Sequence, residues 1–429
     1  MSERPKRKRP GLRRFNRAVL VALGLLVALV TVAIWIANPS RPDPPELQKI
    51  DLKVPKAPPA AAALLRLLER KDPAVFSDEE PTAKAGLEAM KQGRWLADPA
   101  AVIVALDGLK DPSLTEVRTA LLAPGCLPRE MPAPDKDYRY SFLPLIRGVR
   151  LLTLRSVATA QQGDTAGAAR GAFEILDRLL ELEQRCAPSL IEAMVLTATV
   201  RVVARALGFQ LAAGLEPGLE KELWDRLGRL ERRKSPVPDA LRQEAGWLLE
   251  TLPQAIRSAP SKGGEPPRSW PWYDEGDTRR LFELTYRRLV WLAEQPLGSK
   301  AWTRRFPEEE YLERTQNQPG WLALFRFNAI GKILAGIAAP AFRKYPLKWH
   351  QDRCAIAALR ARWLHDLKAR GRQPAAEMAS PRDPFSGQPF VVLPDHNTFC
   401  AVPSAMLAGE LKGSEPLPLP PPLSAKAPE

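Results

Sequence analysis

GAFEILDRLLELEQ, residues 171–184, places Phe173, Leu176, Leu179, Leu180 and Glu183 at the three- and four-residue steps of one helix face. Glu174, Asp177, Arg178 and Glu181 fill the opposite face. This 3.6-residue period predicts a half-buried helix with those charges in solvent. Upstream, residues 140–162 read as a second, longer helix. Gly163-Asp164, between the two, is the sharpest turn signal in the chain. Gly163 can take the left-handed position that ends one helix, and Asp164 can cap the next. Two helices about such a turn, over about 145–185, look like one tetratricopeptide-type pair. No second copy stands at a 34-residue spacing. The expected fold is therefore mainly α, an irregular α-helical array rather than a regular solenoid.

The pattern continues on both sides. AAAALLRLLER (60–70), PTAKAGLEAMKQGRWL (81–96) and DPAAVIVALDGLKD (98–111) read as helices, the last with Asp98 as N-cap. Pro188 seeds a largely apolar helix from Ser189 to about Leu215, expected at the centre of the bundle. Further helices are expected over 217–233, 238–257, 278–295, 327–342 and 345–370. FNAIGKILAGIAAPAF (327–342) has Lys332 and Pro340 within it, so its apolar run is too short to span a membrane. The helical body thus divides into 60–258 and 277–375, separated by a loop at 259–276.

The N-terminus carries a different signal. Residues 1–17 hold eight basic residues against Glu3, half of the chain's net charge of +14. The remaining excess is spread over the surface without a dense stripe, which argues against nucleic-acid binding. AVLVALGLLVALVTVAIWIA (18–37) follows, twenty residues without a charge, or about 30 Å of helix. The rival reading is a cleaved signal peptide. Cleavage after Ala37 puts Trp35 at −3, and cleavage after Ala33 puts Thr31 there, inside the apolar run. The favoured reading is an uncleaved transmembrane anchor over 18–38, with the basic arm in the cytoplasm and the bulk of the chain beyond the inner membrane. Residues 39–59 carry seven prolines and are expected to be an extended linker. Residues 413–429 have the same character and read as a disordered tail, with proline spacing that an aromatic groove could bind.

That location bears on Cys126, Cys186, Cys354 and Cys400. In an oxidising compartment they allow three pairings. The pairing of sequence neighbours, Cys126–Cys186 and Cys354–Cys400, would close loops of roughly fifty residues, worth about 4 kcal/mol each. Four free thiols remain the alternative.

Few residues announce chemistry. There is no Gly-rich phosphate loop, HExxH, paired CxxC or nucleophile elbow. Of the three histidines, His350 shares a helix face with Cys354, and Asp352 is near, but a metal site needs further converging ligands. His365-Asp366 could be half of a hydrolytic triad, without serine or cysteine context to complete it. No metal or cofactor is expected. The SWPWY loop, with Trp270, Trp272 and Tyr273, is the candidate binding loop, against the commoner reading of such aromatics as core.

PRDPFSGQPF (381–390) ends the helical pattern. Asp383 can accept from backbone donors just after it, Pro384 fixes φ, and Gly387 supplies a positive φ. Phe385 and Phe390 would then cover a helix. FVVL and TFCAV around Asp395-His396-Asn397 predict a small β-hairpin within 376–412.

The DPFSGQPF stretch, following a helix that ends KARGRQPA, resembles the C-terminal signature of a diverse group of uncharacterised bacterial membrane-anchored envelope proteins. The resemblance extends to RGVRLLTLRSVATAQQGD (147–164) and to FNAIGKIL (327–334), where Ala329 replaces a proline. It spans about 140–400 and implies an anchor and a helical body, but no activity. A more distant likeness is to type II secretion pseudopilin C-termini, without their processing site. The expectation from all of this is a single-pass, extracytoplasmic helical scaffold or protein-binding module with the membrane and an envelope protein as partners. The alternatives are an envelope-polymer hydrolase and a small-ligand or lipid sensor.

Overall fold

The computed structural model describes residues 25–33, 45–53, 59–70, 81–110, 112–127, 141–186, 189–258, 274–295, 300–303, 310, 313, 328–372, 380–384, 387–392 and 399–400. It is mainly α-helical. Residues 25–33 belong to a first helix, α1. Leu25, Leu26, Val27, Leu29 and Val32 all stand exposed on it. Among the described residues no helix is long and apolar enough to cross a membrane, and only 25–33 of the apolar run 18–37 is described. Within the stretch expected as an extended linker, Pro45–Lys49 instead forms one 3-10 turn with Leu47 buried.

The helices that follow are α2 (Ala62–Leu68), α3 (Pro81–Lys91), α4 (Pro99–Asp107), α5 (Leu114–Leu122), α6 (Leu143–Gln161), α7 (Thr165–Arg185), α8 (Leu190–Ala213), α9 (Pro217–Arg232), α10 (Val237–Ser258), α11 (Glu275–Glu294) and α12 (Ala329–Ala369). Asp98 caps α4 by accepting from Ala101 N, and Asp164 caps α7 by accepting from Gly167 N. Gly163 has φ +105°, as the turn requires. α5 was not expected from the sequence. Ser113 and Glu116 close a capping box at its start. The two helices expected over 327–342 and 345–370 are one helix of 41 residues, which continues through Pro340 and Pro346.

The chain divides into two compact units. One comprises 50–251, 286–304 and 341–429, the other 1–49, 252–285 and 305–340. In the larger unit α6 is central and packs against α2, α3, α4, α5, α7 and α8. Its Leu145, Val149, Leu154 and Val157 are fully buried. Gly148 brings α6 close to α5, since a Cβ there would lie 2.4 Å from Val117 Cγ1. α8 is apolar nearly all round and buried along its length, with Val200, Val203, Leu207 and Phe209 at zero exposure.

α7 corrects one expectation. Arg178, assigned to the solvent face, is buried. It donates through Nε to Leu121 O at 2.9 Å and through Nη2 to Ala123 O at 2.6 Å and to Gly125 O. These are carbonyls at the end of α5, which a helix C-terminus otherwise leaves without donors. Glu181 accepts from Nη1 at 2.7 Å. The same corner holds the Cys126–Cys186 disulfide, 60 residues apart in sequence. Cys126 N donates to Pro59 O, and Cys126 O accepts from Ala61 N, both at 2.9 Å. The chain before α2, the chain after α5 and the end of α7 are thus held at one point.

In the smaller unit, Asn328 is fully buried with φ +48°. Its Nδ2 donates to Asp277 at 2.8 Å, and its Oδ1 accepts from Thr278 Oγ1 at 2.9 Å and Asp274 N at 3.2 Å. Asp274 in turn caps α11 by accepting from Asp277 N. The first turns of α11 and α12 are therefore joined. Lys332, one turn into α12, is mostly buried, and burial holds its pKa down against the pull of Asp277.

At the C-terminus, Asp383 N donates to Gln388 O and Gly387 N to Asp383 O, with Gly387 at φ +67°. Phe390 packs on Ala358 and Ala361 of α12. Beyond it, Val391–Val392 pairs antiparallel with Phe399–Cys400. Two paired residues a side make a short bridge, less than the small hairpin that the β-prone runs suggested.

Candidate functional site

A small groove opens in the larger unit between α8, the start of α10 and α12. Leu190, Met194 and Thr197 line it from one face of α8, where positions i, i+4 and i+7 align. Tyr345, Lys348 and Trp349 line it from α12 by the same rule. Val237 adds a further apolar wall. Thr197 donates to Glu183 Oε1 at 3.2 Å, so its hydroxyl is engaged away from the groove. Lys348 is the one charged residue in the lining, and it is exposed.

Buried charges lie next to these residues. Glu183 of α7 pairs with Arg233 at 2.8 Å, both nearly inaccessible. Asp352, 2% exposed, meets Arg201 of α8 at 3.3 Å. Burial pushes the Asp352 pKa up to about 6, against Arg201, Arg233 and Lys348. His350 packs edge-on against Trp349 and Trp302, and burial, with Arg353, pushes its pKa down to about 3. The Trp349 ring lies beneath Arg233 at 5.5 Å and Arg353 at 5.1 Å. Arg353 donates to Glu231 O at 2.6 Å.

No family model, curated protein or solved structure matches this chain. The site is therefore read from its own geometry. The groove has apolar walls with the exposed Lys348 at its edge. The buried ions hold helices together, and each faces a specific partner rather than a common reacting point.

The structure separates the residues that sequence spacing grouped for metal binding. His350 turns to the tryptophans, Asp352 to Arg201, and Cys354 donates to Asp383 Oδ1 at 3.5 Å. Among the described residues no group of three or more His, Cys, Asp or Glu side chains converges. His365 is half exposed, 3.4 Å from Asp366, and Arg362 holds the same carboxylate at 3.0 Å. That carboxylate serves an ion pair on the helix.

Cys126 and Cys186 are bonded, whereas Cys354 is a free cysteine and forms no bridge to Cys400. Asp383 accepts from the Cys354 thiol, and burial with the adjacent carboxylate raises the Cys354 pKa. Of the C-terminal turn, Asp383 is buried and Pro384 half-buried, while Phe385 lies outside the described residues. The loop with Trp270, Trp272 and Tyr273, and His396, also lie outside them. Sequence reading missed the groove. Its one available signal was the spacing of Leu190, Ala193, Met194 and Thr197 on a helix already expected to be central.

Proposed function

We propose that this protein is a membrane-anchored, extracytoplasmic helical protein that binds a protein partner in the cell envelope. The observation that carries the reading is the Cys126–Cys186 disulfide, buried at the junction of three chain segments. Such a bond persists in oxidising compartments and is rare in reducing ones. The exposed leucines and valines of α1 support an anchor, since an uncovered apolar helix face is costly in water. α6 and α7, joined at Gly163-Asp164, serve as a tetratricopeptide-like pair within an irregular array, and such arrays bind proteins by their surfaces.

The test is topology together with redox state. Protease added to spheroplasts should digest the body of the full-length protein while residues 1–17 stay protected. Non-reducing mass spectrometry should find Cys126 linked to Cys186 and Cys354 free. In-vivo crosslinking should then capture an envelope protein. A body protected from protease, with Cys126 and Cys186 reduced, overturns the proposal.

A further inference from the structure

We infer that residues 59–61 form a strap over the Cys126–Cys186 disulfide, and that thiol reductants reach the bond only when this strap lifts. Such a redox guard goes beyond the partner-binding role and depends on the bond alone, not on the compartment.

Cys126 and Cys186 are each 3% exposed, and Ala61 belongs to the same buried cluster. In the closed fold the bond is thus shielded from attack. The shield is unequal in strength. On one side Ala60 pairs with Cys126 in a single parallel bridge. Cys126 N donates to Pro59 O, and Ala61 N to Cys126 O, both at 2.9 Å. Gly125 lets the strap lie this close, since a Cβ there would stand 2.8 Å from Ala61 N and 3.1 Å from Pro59 O. On the other side are α5 and α7, rooted in the core by Val117, Leu121, Leu179 and Leu182 at zero exposure. Two backbone hydrogen bonds yield sooner than those helices, so the strap opens first. With the strap up, the thiolate of a dithiol attacks one sulfur and the other leaves as a cysteine thiolate. The second thiol of the dithiol then displaces the attacked cysteine. Two electrons pass to the protein, the dithiol ends as a cyclic disulfide, and its two protons end on Cys126 and Cys186.

The test follows reduction of the oxidised full-length protein by dithiothreitol, quenched by alkylation and read by mass spectrometry of the Cys126 and Cys186 peptides. The wild-type rate should be nearly independent of urea below the unfolding transition, as a local opening requires. Ala61→Pro removes the donor to Cys126 O and suits the backbone there, at φ −73°. It should speed reduction about fivefold, the worth of one lost backbone hydrogen bond, with helix content unchanged. Gly125→Ala should speed it at least as much by pushing the strap away. Ala61→Pro carries the test if Gly125→Ala fails to fold. A rate that climbs with urea as steeply as global unfolding, or one that Ala61→Pro leaves unchanged, overturns the inference.

Discussion

Arg178 Nε donates to the Leu121 carbonyl at 2.9 Å, across 57 residues of sequence, and thereby closes the end of α5 from within α7. Its guanidinium also reaches Ala123 O and Gly125 O. Removing it takes the donor from one buried and two partly buried carbonyls. Arg178→Met should cost about 3–5 kcal/mol in urea unfolding. Arg178→Lys should recover less than half of that, because a point-like ammonium cannot serve diverging carbonyls as a planar fork does. A loss under 1 kcal/mol for the methionine variant would show that the carbonyls find other donors.

Gly148 and Val117 set the spacing of α5 against α6. Alanine at 148 should improve local helix propensity by about 1 kcal/mol. It also places a methyl 2.4 Å from Val117 Cγ1. Overpacking should dominate, with a net loss of about 1–2 kcal/mol. The Gly148→Ala, Val117→Ala double variant should be more stable than additivity predicts, which a double-mutant cycle in urea measures.

Asn328 holds a left-handed backbone and joins two helix starts through its side chain. Asn328→Asp keeps the conformational tolerance and Oδ1, but turns the Nδ2 donor into an oxygen facing Asp277. The variant should lose about 2–4 kcal/mol at pH 7. The loss should shrink at pH 4, where protonation restores a donor. A pH-independent loss in thermal melts would assign the cost to the backbone alone.

His350 and Asp352 oppose each other in pH dependence. His350 stays neutral when folded, with its pKa about 3 against 6.5. Its stabilisation is complete above pH 6.5 and is lost as pH falls toward 3. Asp352 is raised from 3.8 to about 6, so its contribution is favourable at low pH and is lost as pH rises through 6. Between about pH 4 and 6 the two slopes should nearly cancel. Relative to His350→Gln, the wild-type protein should lose stability on acidification in that window. Relative to Asp352→Asn it should gain, by up to about 3 kcal/mol. Parallel curves for wild type and both variants would refute these assignments.

Local signals decided much of the helical architecture. Asp98 and Asp164 cap because a short acceptor before an apolar period has nowhere better to bond, and Gly163 turns because only glycine takes that φ cheaply. Ser113 and Glu116 carry the same kind of local signal, a capping box at the start of α5. The DPFSGQP turn and its glycine were likewise local.

The chain's helical character, its caps and its turns were written in sequence because each depends on residues within a few positions. Tertiary structure alone decided that Arg178 is buried, that Cys126 meets Cys186 while Cys354 meets Asp383, and that Met194 and Trp349 face one groove. A charged residue on a helix looks the same in sequence whether its partner is water or a carbonyl 57 residues away. Only the packing of distant segments supplies that partner, and that packing makes both the clasp and the site.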